Sequence, residues 1–415
     1  MTASQSDNYE GGTRSEALPR AGVVMAILFM IFFLGTSDNQ MISPLLPLIA
    51  REFGLEVGAV GKFIGPAYAL SAATAALIIG PISDKYGRRR FLLYASLVFG
   101  ASLLAVLLIK DVRVLALTRV FTGLAAGTFS TCSIAYVADY FPYKRRGVAM
   151  SVVQAGLFAA LVLGVPLASL VAQWVGWRSS FALFGLVSTL AFLLVAFVLP
   201  EDKPPSAAHD LSDRVARRFD NIRIVFESRE SVASIFAAFF VSAGFVGFIF
   251  YIGSWLSRDF RLTTGQVSIF FVLVGLASLI GSFTAGPIAD RVGKRAVSII
   301  STIPLAVMLI LIPRLGWGIP LFACLLVATL AFAFRQGPLQ ALATELVPQH
   351  ARGALVSVRN TASQIGIALS TFVSGFLYSS SGFTAVGLFN GLVSICAVAC
   401  IFLMREPPQS SLRED

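Results

Sequence analysis

Gly80-Pro81-Ile82-Ser83-Asp84-Lys85-Tyr86-Gly87-Arg88 returns as Gly286-Pro287-Ile288-Ala289-Asp290-Arg291-Val292-Gly293-Lys294, a shift of 206 residues from position 80 to position 286. Two further matches keep that register. Asp139, Pro142, Arg146 and Gly147 correspond to Glu345, Pro348, Arg352 and Gly353, and Gly176-Trp177 corresponds to Gly382-Phe383. Three matches at one spacing mark an internal duplication, which divides the chain into two like halves.

The sequence around these loops is too apolar for a water-soluble domain. Hydrophobic residues make up 56% of the 415-residue chain and charged residues 13%, and the mean hydropathy is +0.81. A bilayer core takes roughly 20 apolar residues per helix, which leaves room for about twelve spans. Apolar runs between charged breaks place helices near 21 to 49, 57 to 82, 91 to 109, 113 to 137, 148 to 172 and 179 to 199, and again near 231 to 256, 265 to 289, 296 to 313, 318 to 343, 354 to 377 and 384 to 403. The expected fold is an all-α integral membrane protein of twelve transmembrane helices in two pseudo-symmetric six-helix bundles. Its expected parts are an N-terminal tail (1–20), a first bundle (21–199), a polar linker (200–230) opening with Pro204 and Pro205, a second bundle (231–403) and a tail (404–415).

A formal charge of +10 in a soluble chain would point to nucleic acid. Here most of the Lys and Arg residues fall in the loops that lie on the side of both termini. That bias excludes nucleic-acid binding as the reading and places both termini and the linker in the cytoplasm. The first 20 residues are polar, and the apolar run after them is too long for a signal peptide and lacks a small-residue cleavage pattern, so the first helix is expected to stay. Cys132, Cys324, Cys396 and Cys400 lie inside apolar runs without metal-ligand spacing and read as small packing residues. The only histidines, His209 and His350, fall in the linker and a loop. With no Gly-Lys-Ser phosphate loop either, an enzyme, a metal site, a cofactor and ATP-driven transport are not expected.

The Gly80 to Arg90 loop resembles the helix 2 to 3 signature of the major facilitator superfamily, and the resemblance covers nearly the whole chain. It implies secondary transport of a solute between the two bundles. Glycines let helices approach closely, Asp84 can interact with the positive end of a facing helix, and Arg88 can pair with Asp139 at the end of helix 4. In the family such a cluster stabilises the outward-open state. The expected cytoplasmic gate comprises Gly80, Asp84, Gly87, Arg88, Asp139 and Arg146, with a second copy at Gly286, Asp290, Gly293, Lys294, Glu345 and Arg352. The alternative is an ordinary basic loop that obeys the positive-inside rule.

Leu115-Ala116-Leu117-Thr118-Arg119-Val120-Phe121-Thr122-Gly123 resembles the helix 4 signature of the same superfamily, in which an intramembrane arginine takes part in proton coupling. A guanidinium in hydrocarbon requires a partner or a wet cavity. Asp38 is the candidate, because at 1.5 Å per residue the two side chains differ in depth by only about 5 Å. Asp38 and Arg119 form the expected proton-coupling pair. A static pair that only holds helices together is the alternative.

Thr36-Ser37-Asp38-Asn39-Gln40, followed by Pro44 and Pro47, is a polar break inside an apolar helix, tolerated only where it faces protein or water. Asn39 and Gln40, with Gln154, Arg335, Gln336, Arg359, Asn360 and Gln364, are the expected substrate-binding residues. If Arg119, Arg335 and Arg359 all faced the cavity against Asp38, an anionic solute would be favoured. If Arg359 paired with Asp84 or another latch residue, and Arg335 with Glu345, the cavity would be nearly neutral. Gly164-Val165-Pro166 partly resembles the antiporter signature of the superfamily, in the variant of arabinose-efflux-like and sugar-efflux-like permeases. The sequence therefore reads as a proton-coupled exporter of a small organic solute (a drug, sugar or metabolite), monomeric, in a bacterial-type inner membrane. Proton-coupled import of an organic anion is the alternative. A non-transporting receptor is a third class, disfavoured because the chain ends soon after the twelfth helix.

Overall fold

Hydrocarbon offers no water to satisfy amide groups, so each apolar run has to close its hydrogen bonds internally as helix. A computed structural model describes residues 20–202 and 221–406, and no strand occurs among them. Residues 1–19, the linker segment 203–220 with Pro204, Pro205 and His209, and residues 407–415 lie outside the described residues.

The first crossing is α1 (Ala21–Gln40) continued, after a break at Met41, by α2 (Ile42–Glu52). α3 (Val57–Tyr86), α4 (Arg88–Ala105) and α5 (Val112–Tyr140) are the next three. The fifth is composite: α6 (Tyr143–Gln154), α7 (Gly156–Ala159), a π-helical turn (Ala160–Gly164) and α8 (Val165–Val175). α9 (Trp177–Phe197) closes the first half. The stretch expected as a plain polar linker contains a helical segment, α10 (221–227). Its Val225 is buried with Ile235, Val347, Ala351 and Leu355, which explains why this turn is ordered. The second half comprises α11 (Arg229–Asp259), α12 (Thr264–Val292), α13 (Lys294–Leu311), α14 (Ile319–Glu345) and α15 (Arg352–Leu403).

At 52 residues, α15 is far too long for one crossing, since about 20 residues suffice. It turns back at Gly382, whose φ of 77° is left-handed, and so supplies the last two of twelve crossings among the described residues. Gly176, the repeat equivalent of Gly382, has φ 105°, and the pair Gly87 and Gly293 has φ 91° and 102°. A side chain is strained in that region, so the duplication preserves glycine where each tight reversal needs it.

Within the first half α3 packs on α5, and α4 on α5 and α9. Within the second, α11 packs on α15, α12 on α14, and α13 on α14 and α15. The halves touch through α3 on α15, α2 on α11 and α8 on α12. They approach most closely at the end remote from the duplicated Gly87 and Gly293 turns. There Gly58 lies directly on the backbone of Gly375, and Gly61 lies on the Tyr251 ring, leaving no space for a Cβ at either glycine. Ser43 Oγ donates to the Ile249 carbonyl at 2.6 Å, and Tyr251 donates to the Thr371 carbonyl at 3.1 Å. Trp255 stacks on Phe383 beside this seal at 4.8 Å between centroids.

Of the four cysteines, all unpaired, Cys132 is buried as a packing residue should be. Cys396 is exposed on the bundle surface, so the packing role expected for it does not hold.

Candidate functional site

The polar break in the first crossing sits where α1 gives way to α2. Asp38, in the last turn of α1, is fully buried, and Arg119 on α5 is 2% exposed. The guanidinium meets the carboxylate side-on. Nη1 donates to Oδ1 at 2.9 Å, and Nη2 donates to Oδ2 and to Thr122 Oγ1. Tyr68 of α3 and Phe181 of α9 cover the pair, their ring centres 5.3 and 5.6 Å from the guanidinium carbon. The Tyr68 hydroxyl donates to the Gly35 carbonyl at 2.9 Å, which fixes that ring over the pair. Gly164, at the end of the π-helical turn, packs against Ser37 and has no room for a Cβ.

Between the halves lies a cavity of about 380 Å³. Thr36, Asn39 and Gln40 line it from α1, and Gln336 and Gln364 from the second half. Ser130, Ser242 and Ser278 add hydroxyls, and most of the remaining wall is aromatic and aliphatic, including Phe158, Phe245 and Phe332. Phe245 and Phe332 stack 3.9 Å apart. Tyr68 lines the same cavity and therefore stands between it and the ion pair. Such a cavity, mostly apolar with a few convergent amides, suits a small amphipathic organic molecule.

The expected binding residues divide. Asn39, Gln40, Gln336 and Gln364 face the cavity, and Arg359 and Asn360 line a small polar pocket that adjoins it. Gln154 is exposed and is not part of either wall. Arg335 is fully buried behind the wall, with Nη2 3.4 Å from the Val241 carbonyl and its guanidinium carbon 5.6 Å from the Phe332 ring centre. The pairings that would have neutralised the second half are not formed. Asp84 is engaged by Arg88, Glu345 by Lys294, and no ion pair among the described residues includes Arg335 or Arg359.

At the loop end, Arg88 bridges Asp84, at 2.8 Å, and Asp139. Both acids belong to its own half, so Asp84 pairs with Arg88 rather than with a facing helix terminus. Gly87 shapes the turn at which these groups meet, while Gly80 lies inside α3 against Thr131. Arg146 stands apart from the cluster, its Nε donating to the Phe141 carbonyl at 2.9 Å. The second copy is simpler. Lys294 pairs with Glu345 and Gly293 keeps the same turn, while Gly286 lies inside α12 with open space around it. Asp290 and Arg352 are exposed and form no ion pair among the described residues. The expected symmetry of the two clusters is thus incomplete, because Lys carries one ammonium where Arg presents a fork able to hold two carboxylates.

Sequence reasoning missed two acids. Asp202 accepts from the Arg88 and Arg89 amides, and Glu406 accepts from the Lys294 and Arg295 amides at 3.0 and 3.4 Å. Each caps the helix that follows a duplicated turn. They stand 204 residues apart, two short of the repeat shift, so strict register does not reveal them. Tyr68 was missed too, because a tyrosine in an apolar helix carries no signal of its own.

The family model of the Major Facilitator Superfamily matches two overlapping stretches, residues 28–263 and 234–415. The chain is 26% identical over 375 residues to "Uncharacterized MFS-type transporter YceJ" of Bacillus subtilis (strain 168), covering 87% of this chain and 92% of that one. It is 23% identical over 413 residues to "Cis,cis-muconate transport protein" of Acinetobacter baylyi, covering 94% and 96%. Among solved structures it resembles a bacterial homolog of the human lysosomal transporter Spinster, in an inward-facing and unoccupied conformation. That match has a TM-score of 0.77 and 18% identity over 93% of this chain and 97% of the other.

Proposed function

From the premise that the chain belongs to the major facilitator superfamily, and is therefore a multi-pass membrane transporter and not an enzyme, we propose that it couples export of a small organic solute to proton entry through Asp38 and Arg119. The observation that carries this reading is the side-on ion pair buried beside the central cavity. Protonation of Asp38 cancels its charge and releases one arm of the guanidinium. The next residues on the same chain, Asn39 and Gln40, line the solute cavity, so the charge change acts where cargo sits. A buried pair of this kind is costly to break one-sidedly, which gives two stable settings and little between them.

The cavity lies between the halves and their seal at the Gly58 end is formed, which supports reading this as the state open toward the duplicated turns. The charge bias of the loops supports placing that face and both termini in the cytoplasm, and the bacterial relatives support a bacterial-type inner membrane. Residues 21–199 and 231–403 act as the two rocking bodies, joined by the linker, in a monomer. The Arg88 and Lys294 clusters, each held within its own half, then brace the rims of the cytoplasmic gate at which the halves come together. Export is favoured by Gly164-Val165-Pro166, whose Gly164 ends the π-helical turn and packs on Ser37, the neighbour of Asp38.

Import of an organic anion is the second reading, favoured by the absence, among the described residues, of carboxylate partners for Arg335 and Arg359. The relative that is named for cis,cis-muconate transport supports it as well. Purified protein in liposomes, screened for solute flux with and without an imposed pH gradient, tests the proposal. Flux that follows the gradient in the wild type and ignores it in Asp38→Asn is the expected result. Equal gradient dependence in both removes the coupling role, and the direction of gradient-driven flux separates export from import.

A further inference from the structure

Arg359 opens a second site in the wall of the cavity. It is 6% exposed, and its Nε donates to the Ser234 carbonyl at 3.3 Å. Its two terminal nitrogens make no hydrogen bond to any described residue, and no carboxylate among the described residues pairs with it. Arg359 lines a pocket of about 60 Å³ together with the polar residues Ser242, Gln336, Gln340, Asn360 and Ser363. The Ser363 hydroxyl donates to the Ala238 carbonyl at 3.2 Å, which leaves its oxygen lone pairs free to accept. Val241, Ser242 and Gln336 line both this pocket and the 380 Å³ cavity, so the two spaces join.

A guanidinium held away from water without a counter-ion is unfavourable unless something supplies the missing charge. A pocket of this volume holds about two waters' worth of atoms, which is the size of a carboxylate. The fork of Nη1 and Nη2 matches two carboxylate oxygens, and the surrounding amides can donate to whatever lone pairs remain. Beyond the shared mouth the walls turn aromatic, with Phe158, Phe245 and Phe332 enclosing a volume that accepts an apolar body.

We propose that Arg359 and its amide neighbours form the anion subsite of the solute cavity, and that the cargo is an organic carboxylate with an aromatic or aliphatic body. The carboxylate enters the side pocket against Arg359, Asn360 and Gln340, and the body lies in the main cavity against the stacked Phe245 and Phe332. Gln336, at the mouth, spans the junction. This assignment rests on the transporter reading above, but it requires neither proton coupling nor a particular direction.

The test is equilibrium binding to the full-length protein in lipid nanodiscs, using benzoate, 3-phenylpropanoate and 5-phenylpentanoate, each beside its neutral amide. The expected result is that at least one acid binds about tenfold or more tighter than its amide. Arg359→Gln should remove that preference, a loss of about tenfold to a hundredfold in affinity for the acid with the amide unchanged. Arg359→Lys should restore part of it. Gln340→Leu, which leaves Arg359 in place, should weaken the acid by a smaller factor and guards against misfolding of the arginine variant. Equal affinities for every acid and its amide, or a preference that survives Arg359→Gln, overturns the subsite. Tight acid binding lost in Arg359→Gln, with flux indifferent to a pH gradient, would keep the subsite and end the coupling proposal. Gradient-driven flux of neutral amides untouched by Arg359→Gln would do the reverse.

Discussion

Ser43 donates its hydroxyl to the carbonyl of Ile249, and the two residues are separated by 206 positions, the shift of the duplication itself. A residue that touches its own repeat equivalent lies on the pseudo-twofold axis. The axis therefore passes through the junction of α2 and α11, at the sealed end of the molecule, and the seal has to part there if the solute is to leave by that face.

Because Gly58 rests on the Gly375 backbone with no space for a Cβ, a bulky residue should act as a wedge. Gly58→Leu is expected to shift the population away from the present state and to lower solute flux about tenfold or more. In a background lacking the four native cysteines, labelling of Gly65→Cys by a membrane-impermeant thiol reagent from the outside should rise. Unchanged labelling and flux would show that the contact does not seal that face.

Removing one partner of the buried pair should cost more than removing both. Arg119→Gln alone leaves the Asp38 carboxylate unpaired in a dry site and is expected to destabilise by roughly 3–5 kcal/mol. Asp38→Asn with Arg119→Gln should recover much of that stability while transport stays insensitive to a pH gradient. Thermal unfolding in detergent and flux in liposomes read the two effects separately.

Tyr68 stands between the cavity and the pair, so its ring governs how readily water reaches Asp38. Tyr68→Phe keeps the ring and loses one buried hydrogen bond to Gly35, a cost of about 1 kcal/mol. Tyr68→Ala removes the shield and is expected to admit protons without cargo, seen as faster collapse of a pH gradient in liposomes that contain no solute. If the Ala variant holds the gradient as well as the wild type does, the ring is not the shield.

Glu52, at the end of α2, accepts from both Trp177 Nε1 and Arg178 Nη1 at the start of α9. The Arg178 hydrogen bond, ahead of the opposing effect of burial, holds its carboxyl below the usual glutamate range. A lowered value means that the stability is present above the ordinary glutamate range, about pH 4, and is lost as pH falls through the lowered value. Since the Glu52 side chain is 46% exposed, the contribution should stay below about 1 kcal/mol. Glu52→Gln should therefore lower the unfolding temperature at pH 7 by no more than about 2 °C, with the difference vanishing near pH 3. A larger gap at pH 3 than at pH 7 would contradict this sign.

The crossings and the duplication were legible because lipid imposes one rule on every segment, length without charge, and because glycine is required wherever the chain reverses with positive φ. Depth along the helices was enough to pair Asp38 with Arg119. The faces of the helices were not legible. In a bilayer the lipid-facing and core-facing sides are both apolar, so nothing in the sequence says that Arg359 turns toward the cavity, that Arg335 turns away from it, or that Gln154 joins neither wall. Arg146 illustrates a different limit. It keeps the repeat register, yet it serves the Phe141 carbonyl, because a backbone acceptor leaves no trace in a sequence motif.

The Gly382 reversal inside α15 has a mechanical meaning. Its two legs are joined by one left-handed glycine with no slack between them, so they must swing as a single hairpin. The leg that carries Arg359 is thereby yoked to the leg whose end leads to Glu406 and its grip on the start of α13. A rigid hairpin would carry a displacement of one leg to the other, so a few inserted flexible residues at 382 are expected to uncouple Arg359 from that grip.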